Sequence, residues 1–147
     1  MTSNSIIEIN DHGLSKRMAQ FPQEFDAIGR DTMEASLIII HENIPPYPDV
    51  PNPVRDGTLG RTLGSSMQGG KVGKPDIYEN KKLGSYFEGR FGTKKDYAEY
   101  VVGEKQSWFH YRWWLLKNIA KESEKRIVEK WNLAADKMAR FLDGKGL

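Results

Sequence analysis

The chain contains no cysteine. Disulfides, thiolate metal sites and cysteine nucleophiles are therefore excluded together, and stability has to come from packing. Long apolar runs are also missing: the longest aliphatic stretch, Leu37–Ile40, is far short of the roughly 18–20 residues that cross a bilayer. The opening residues MTSNSIIEIN lack the basic and apolar blocks of a signal peptide. The expectation is a soluble protein made in a cytoplasm, with no membrane partner. Histidine is sparse, and His12, His41 and His110 have no carboxylate or second histidine at ligand spacing, which argues against a metal site. Ser65, Ser66 and Ser107 lack the glycine-x-serine-x-glycine elbow of a nucleophilic serine. The carboxylates of the first half sit at helix-surface positions, with nothing to single out a pair for acid–base work. No catalytic residue, metal or other cofactor is expected, and the chain does not read as an enzyme.

What is present fits one domain. At 147 residues the chain can bury roughly 70% of the surface its unfolded form exposes. The net charge is only +2, but it is unevenly spread: residues 1–50 carry three Lys or Arg against eight Asp or Glu, and residues 51–95 carry nine against four. Surfaces of opposite sign can steer a partner or let copies of one chain meet head to tail. Simple solvation of two unrelated faces explains the same counts.

Ser5–Asn10 is short and isoleucine-rich and is bounded by Asp11-His12-Gly13, as an edge strand would be. From Pro22, a proline suited to a first helical position, Phe25, Ile28, Thr32, Ala35 and Ile39 recur at helical spacing to about Glu42. Leu37–Ile40 are apolar all round, so the last turns should be enclosed on more than one side. Ile44-Pro45-Pro46 stops the helix. Five of the seven prolines fall in Pro45–Pro53, PPYPDVPNP, which should be extended and stiff. Its PxxP spacings match what aromatic grooves recognise, although a rigid connector is the commoner explanation. Residues 58–65 read as a strand, followed by a flexible loop around Gln68-Gly69-Gly70. That loop is not a P-loop: five residues separate Gly64 from Gly70, and Lys71 precedes Val72. At the other end, Ile127, Trp131, Ala134, Met138 and Phe141 follow steps of four, three, four and three. They form the buried stripe of a long C-terminal helix that Leu116 and Ala120 extend backwards and Gly144 could cap.

Between these helices, Ser85–Trp114 holds most of the chain's aromatic residues. Tyr86, Phe87 and Phe91 suggest one strand, and Tyr97, Tyr100, Val101 and Val102 a second, joined through Gly92 and a polar turn. This hairpin, closing against the terminal helix, is the expected nucleus. The whole is α+β: a small antiparallel sheet of three to five strands packed against an N-terminal helix and a long C-terminal helix. The cluster Trp108–Trp114 beside Arg112 can close the core, pack across a subunit contact or stack on bases. A DNA-binding module that uses Arg61, Lys71, Lys74, Lys81 and Lys82 with aromatic faces is the alternative function to weigh.

Two short motifs carry a family resemblance: Asp56-Gly57-Thr58-Leu59 with Arg61, and Phe91-Gly92-Thr93 running through Asp96-Tyr97-Ala98-Glu99-Tyr100-Val101. Together with the order of elements, they resemble the tail-component and tail-completion (neck) proteins of tailed bacteriophages, the group that includes minor tail protein Z of lambda. The chain departs from that pattern where Gly57 precedes Thr58, in Val102-Gly103-Glu104, and in Phe109–Trp114. The resemblance implies a non-enzymatic virion part, assembled in the host bacterial cytoplasm. It would form a homo-oligomeric ring, sixfold, at the head-proximal end of the tail. Partners would be other copies of itself, the head-completion or connector protein, the tail terminator and tube proteins, and passing DNA in transient contact. Candidate contacts with neighbours are Tyr47, Arg61, Trp108, Arg112 and Trp113. Lys71, Lys74, Lys81 and Lys82 are the candidates for a loop facing the DNA channel.

Overall fold

The computed structural model describes residues 5–10, 22–46, 59, 62–64, 74–83, 86–108 and 113–144. Three strands, β1 (Ser5–Asn10), β2 (Ile77–Leu83) and β3 (Tyr86–Thr93), make an antiparallel sheet in the order β1-β3-β2. Two helices, α1 (Pro22–Asn43) and α2 (Leu116–Gly144), complete the α+β fold.

The organising element is α1 rather than the aromatic hairpin. Phe25, Met33, Leu37, Ile40 and Ile44 follow steps of eight, four, three and four and are buried against Phe87 and Phe91 of β3 and Leu116, Ile119 and Met138 of α2 in one core. The two polar residues within that stripe, Thr32 and Ser36, are buried at no great cost because their hydroxyls bond back to the carbonyls of Ile28 (2.7 Å) and Thr32 (2.8 Å). Glycines set the helix–sheet spacing. A Cβ on Gly29 of α1 would lie inside van der Waals contact with the Phe87 ring, and one on Gly89 of β3 would meet the Met33 sulfur. Ile38 is the exception in the apolar run: it is 44% exposed, while Leu37, Ile39 and Ile40 are buried.

The registers Ile7↔Phe91 and Tyr78↔Phe91 put alternate residues of all three strands on the face toward α1. On β2 that face is polar. Tyr78 donates to Glu34 Oε1 (3.0 Å), Asn80 to the Arg30 carbonyl (3.0 Å) and Lys82 to Asp26 Oδ1 (2.6 Å), all on α1. The opposite face carries a cross-strand charge row. Arg90 faces Glu8 and Glu79 at 3.6 Å each, and Lys81 reaches Glu79 at 3.2 Å.

α2 packs on α1 through Ile119, Ser123, Ala134 and Met138, with Ile127, Trp131 and Phe141 half-buried beside them. At one end Asn43 donates to Ser123 Oγ (2.9 Å), and Arg126 donates to Glu42 Oε2 (3.2 Å). The terminal helix thus has the expected stripe. Its backward extension, however, runs through Ile119 and Ser123, whereas Ala120 is only half-buried. Gly144 is the last helical residue and does not take a left-handed conformation.

Two expected strands are corrected. Leu59 and Thr62 are helical, with Thr62 Oγ1 bonded back to the Leu59 carbonyl (2.8 Å) and Gly64 at φ 76 closing the turn. The spacing of the buried pair Leu59 and Leu63 is a helical four, which outweighs the alternation read from the glycines. Asp96–Tyr100 is a 3-10 helix, so β3 pairs with β1 and β2 and forms no hairpin with residues 97–102.

Candidate interaction surface

The 3-10 segment is built by its own spacing. Ala98, Val101 and Val102 are buried at 0%, 5% and 0% exposure, whereas Tyr97 and Tyr100 stand out at 47% and 48%. Strand geometry would have sent Val101 and Val102 to opposite faces, whereas a helical turn buries 98, 101 and 102 together. The Ala98 carbonyl accepts from both Val101 N (3.0 Å) and Val102 N (2.8 Å), which fixes the turn. With three residues per turn, Tyr97 and Tyr100 project from the same side.

The base of this turn is bolted to the sheet. Buried Thr93 shares a 2.8 Å contact with Thr62 Oγ1, donates to Asp76 Oδ2 (3.3 Å) and accepts from Lys95 N (3.2 Å). Asp76 also accepts from Lys94 N (3.3 Å). Gly103 follows the turn where a Cβ would collide with the Glu99 backbone. The Gln106 side chain then donates to the carbonyls of Val101 (2.7 Å) and Trp113 (2.9 Å). Ser107 N bonds to the Tyr100 carbonyl (2.9 Å), and the next residue, Trp108, is 76% exposed. The Trp113 and Trp114 rings lie 5.9 Å apart, and Trp114 Nε1 donates to the Pro46 carbonyl (3.3 Å). The Trp113–Trp114 pair thus adjoins the point where the proline-rich segment begins. Around it Lys94, Asp96, Glu104 and Lys105 mix both signs of charge, and Lys105 lies 3.9 Å from Glu99.

Of the candidate neighbour contacts, Trp108 and Trp113 are thus held in one block through Gln106. Trp113 is packed against the core, so only Trp108 of the two is strongly exposed. Tyr47, Arg61 and Arg112 lie outside the described residues, as does Lys71. The other lysines do not gather into one basic loop: Lys81 and Lys82 are neighbours on strand β2 and point to opposite faces of the sheet. Each of the three described candidate lysines has a carboxylate. Lys82 has Asp26 at 2.6 Å, Lys81 has Glu79 at 3.2 Å, and Lys74 sits 4.0 Å from Glu34 with its ammonium 4.4 Å from the centre of the Tyr78 ring. Burial, and then the bond to Glu34 and its charge, pushes the Tyr78 phenol well above its ordinary pKa.

His41 meets the Gly64 carbonyl through Nε2 at 3.3 Å, and His12 and His110 lie outside the described residues. Among the described residues no cluster of three His, Asp or Glu could hold a metal ion, and no helix is long and apolar enough to cross a membrane. Tyr97 and Tyr100 are the residues that sequence reasoning placed wrongly, inside a strand. The signal that could have exposed them was the three-and-four spacing of Ala98, Val101 and Val102. Set against known proteins, the chain matches no family model, no curated protein and no solved structure.

Proposed function

We propose that this chain is a structural subunit of a tailed-bacteriophage virion. It would be a tail-completion or neck component that forms a ring at the head-proximal end of the tail and joins tail to head. The observation that carries this reading is how the segment Phe91–Val101, on which the family resemblance rests, divides in space. Phe91, Thr93, Ala98 and Val101 are anchors inside the core, while Tyr97 and Tyr100 are displayed. Tyrosine and tryptophan on a preorganised base are what a protein–protein contact draws its binding energy from, because their rings are ordered before the partner arrives. The DNA-binding alternative gains less support, since Lys74, Lys81 and Lys82 are each within 4.0 Å of a carboxylate and spread over different faces.

The test is to label the chain in purified phage particles and image them. Label at the head–tail junction, with separated heads and tails when the gene is silenced, is the expected result. Label on the fibres, or none on the particle, would overturn the assignment.

A further inference from the structure

We propose that the outer edge of β2, Ile77–Leu83, pairs with the same strand of a second copy of this chain, antiparallel about a dyad through Asn80. The inference goes beyond the virion reading and does not rest on it. A dyad contact closes at two chains, whereas a ring needs a head-to-tail contact through other surfaces.

The edge is one part of the case. β2 ends the order β1-β3-β2, and among the described residues it has β3 on one side and no strand on the other. Alternate residues of an antiparallel strand turn their N–H and C=O groups away from the neighbour, so the outer side of β2 presents a row of backbone donors and acceptors to a further strand. The bonds from Tyr78, Asn80 and Lys82 to α1 hold that row in place. An added strand therefore meets a template that is already ordered.

Charge names the occupant. Antiparallel pairing about Asn80 sets Glu79 of each copy opposite Lys81 of the other, with Tyr78 opposite Lys82 and Ile77 opposite Leu83. Glu79 and Lys81 share the face away from α1 and lie 3.2 Å apart within one chain, so four charges alternate in sign around the dyad. Lysines on an edge strand ordinarily discourage pairing. Here Lys81 meets a glutamate, and Lys82 is already neutralised by Asp26 at 2.6 Å. Moving the dyad to Glu79 or to Lys81 would set like charges directly opposite each other, so charge selects one register. The other edge strand, β1, carries a single charge, Glu8, with nothing to set against it in a second β1.

The helices leave room for the contact. α1 packs Gly29 on Phe87 and Met33 on Gly89 of β3 and bonds to β2 along its flank, so its axis lies above the gap between the two strands. That is about one strand spacing, roughly 4.8 Å, from the dyad. Two copies of α1 would run antiparallel on one face of a joint sheet about 10 Å apart, an ordinary helix-packing distance. Leu83, 37% exposed in the single chain, would gain Ile77 of the second copy as its cross-strand neighbour.

The experiment uses the full chain. Sedimentation of the wild type should show a dimer. E79K and K81E each set like charges across the dyad and should each weaken the dimer at least about tenfold. An equimolar mixture of the two variants restores both opposite-sign pairs and should recover a heterodimer within about threefold of the wild-type affinity. A second measurement leaves the charges in place. Because the chain has no cysteine, N80C should cross-link to its own counterpart under mild oxidation, whereas L83C, held about 20 Å from its counterpart by this register, should not. A wild type that stays monomeric, an oligomer that both charge variants leave intact, folded variants that mixing does not restore, or L83C cross-linking as fast as N80C overturns the proposal. Label at the phage neck bears on the virion reading alone, so either can fail without the other.

Discussion

Replacing Gly29 by alanine sets two well-defined effects against each other. Mid-helix, alanine is preferred over glycine by about 1 kcal/mol, so propensity alone predicts a more stable protein. The structure predicts the opposite sign. Gly29 faces Phe87, and an added Cβ would overlap the Cε2–Cζ edge of its ring. That ring has nowhere to go: Phe87 is fully buried and packs edge-on against Phe25, centroids 5.2 Å apart. Overpacking of this kind typically costs 1–3 kcal/mol, and the higher figure applies where the obstructing group is immobile. Subtracting the propensity gain from the high end leaves a net loss of about 2 kcal/mol, or roughly 6 °C in Tm for a domain of this size. Urea unfolding of G29A, F87A and the double variant measures it. F87A alone should cost about 3–5 kcal/mol, and in the double variant the new methyl should partly fill the space the ring leaves, so the two changes cost less together than their sum. If G29A instead raised the midpoint by the amount propensity predicts, the close helix–sheet approach described above would be wrong.

Further outcomes follow from other contacts. T93V keeps the shape of a buried residue but removes the hydroxyl shared by Thr62, Asp76 and Lys95; it should lower stability by about 1–3 kcal/mol in urea unfolding. V102A should cost about 1–3 kcal/mol, whereas Y97S should stay within about 0.5 kcal/mol; comparable losses from the two would reject the 3-10 turn. Because the folded state holds the Tyr78 proton more tightly than the unfolded chain does, this group's contribution to stability is intact below the ordinary tyrosine pKa. That contribution is lost as pH rises beyond it. The alkaline fall in stability should therefore be shallower in Y78F, as read by thermal unfolding across that range.

The elements that sequence made legible are those whose burial follows one clean period. Ile127 through Phe141 repeat at three and four because α2 buries a single face; α1 was legible as a helix ending before Pro45-Pro46, but its core stripe is Phe25, Met33, Leu37 and Ile40, while Ile28 and Ala35 of the expected stripe are half-buried. The elements that stayed hidden bury polar atoms or borrow a partner's spacing. β2 shows no alternation of apolar and polar residues, since its core-side positions are Tyr78, Asn80 and Lys82, each bonded to a group on α1 that no local pattern could announce. Residues 97–102 carried the composition of a strand, but the order in which Ala98, Val101 and Val102 recur was helical, and order decides which side chains can be buried together. The candidate surface was half legible for the same reason. Trp108 stood out by residue type, while the display of Tyr97 and Tyr100 depends on a turn that composition concealed.

Rigidity and display are connected in this fold by a short chain of bonds. The hydroxyl of Thr93 and the carboxylate of Asp76 fix where β3 ends, and the Ala98 carbonyl fixes the turn that follows. Gln106 then spans from Val101 to Trp113 and ties the turn to the segment that leads into α2, whose first residue, Leu116, bonds through its N–H to the Val102 carbonyl (2.8 Å). None of these bonds is made by the ring of Tyr97 or Tyr100, so those exposed rings can be changed without loosening what carries them. A surface whose side chains are free to vary over a backbone held from beneath pays little ordering entropy on binding. The same separation means that loss of the proposed tyrosine contact and loss of folding should be produced by different substitutions only one residue apart, at Tyr97 and at Ala98.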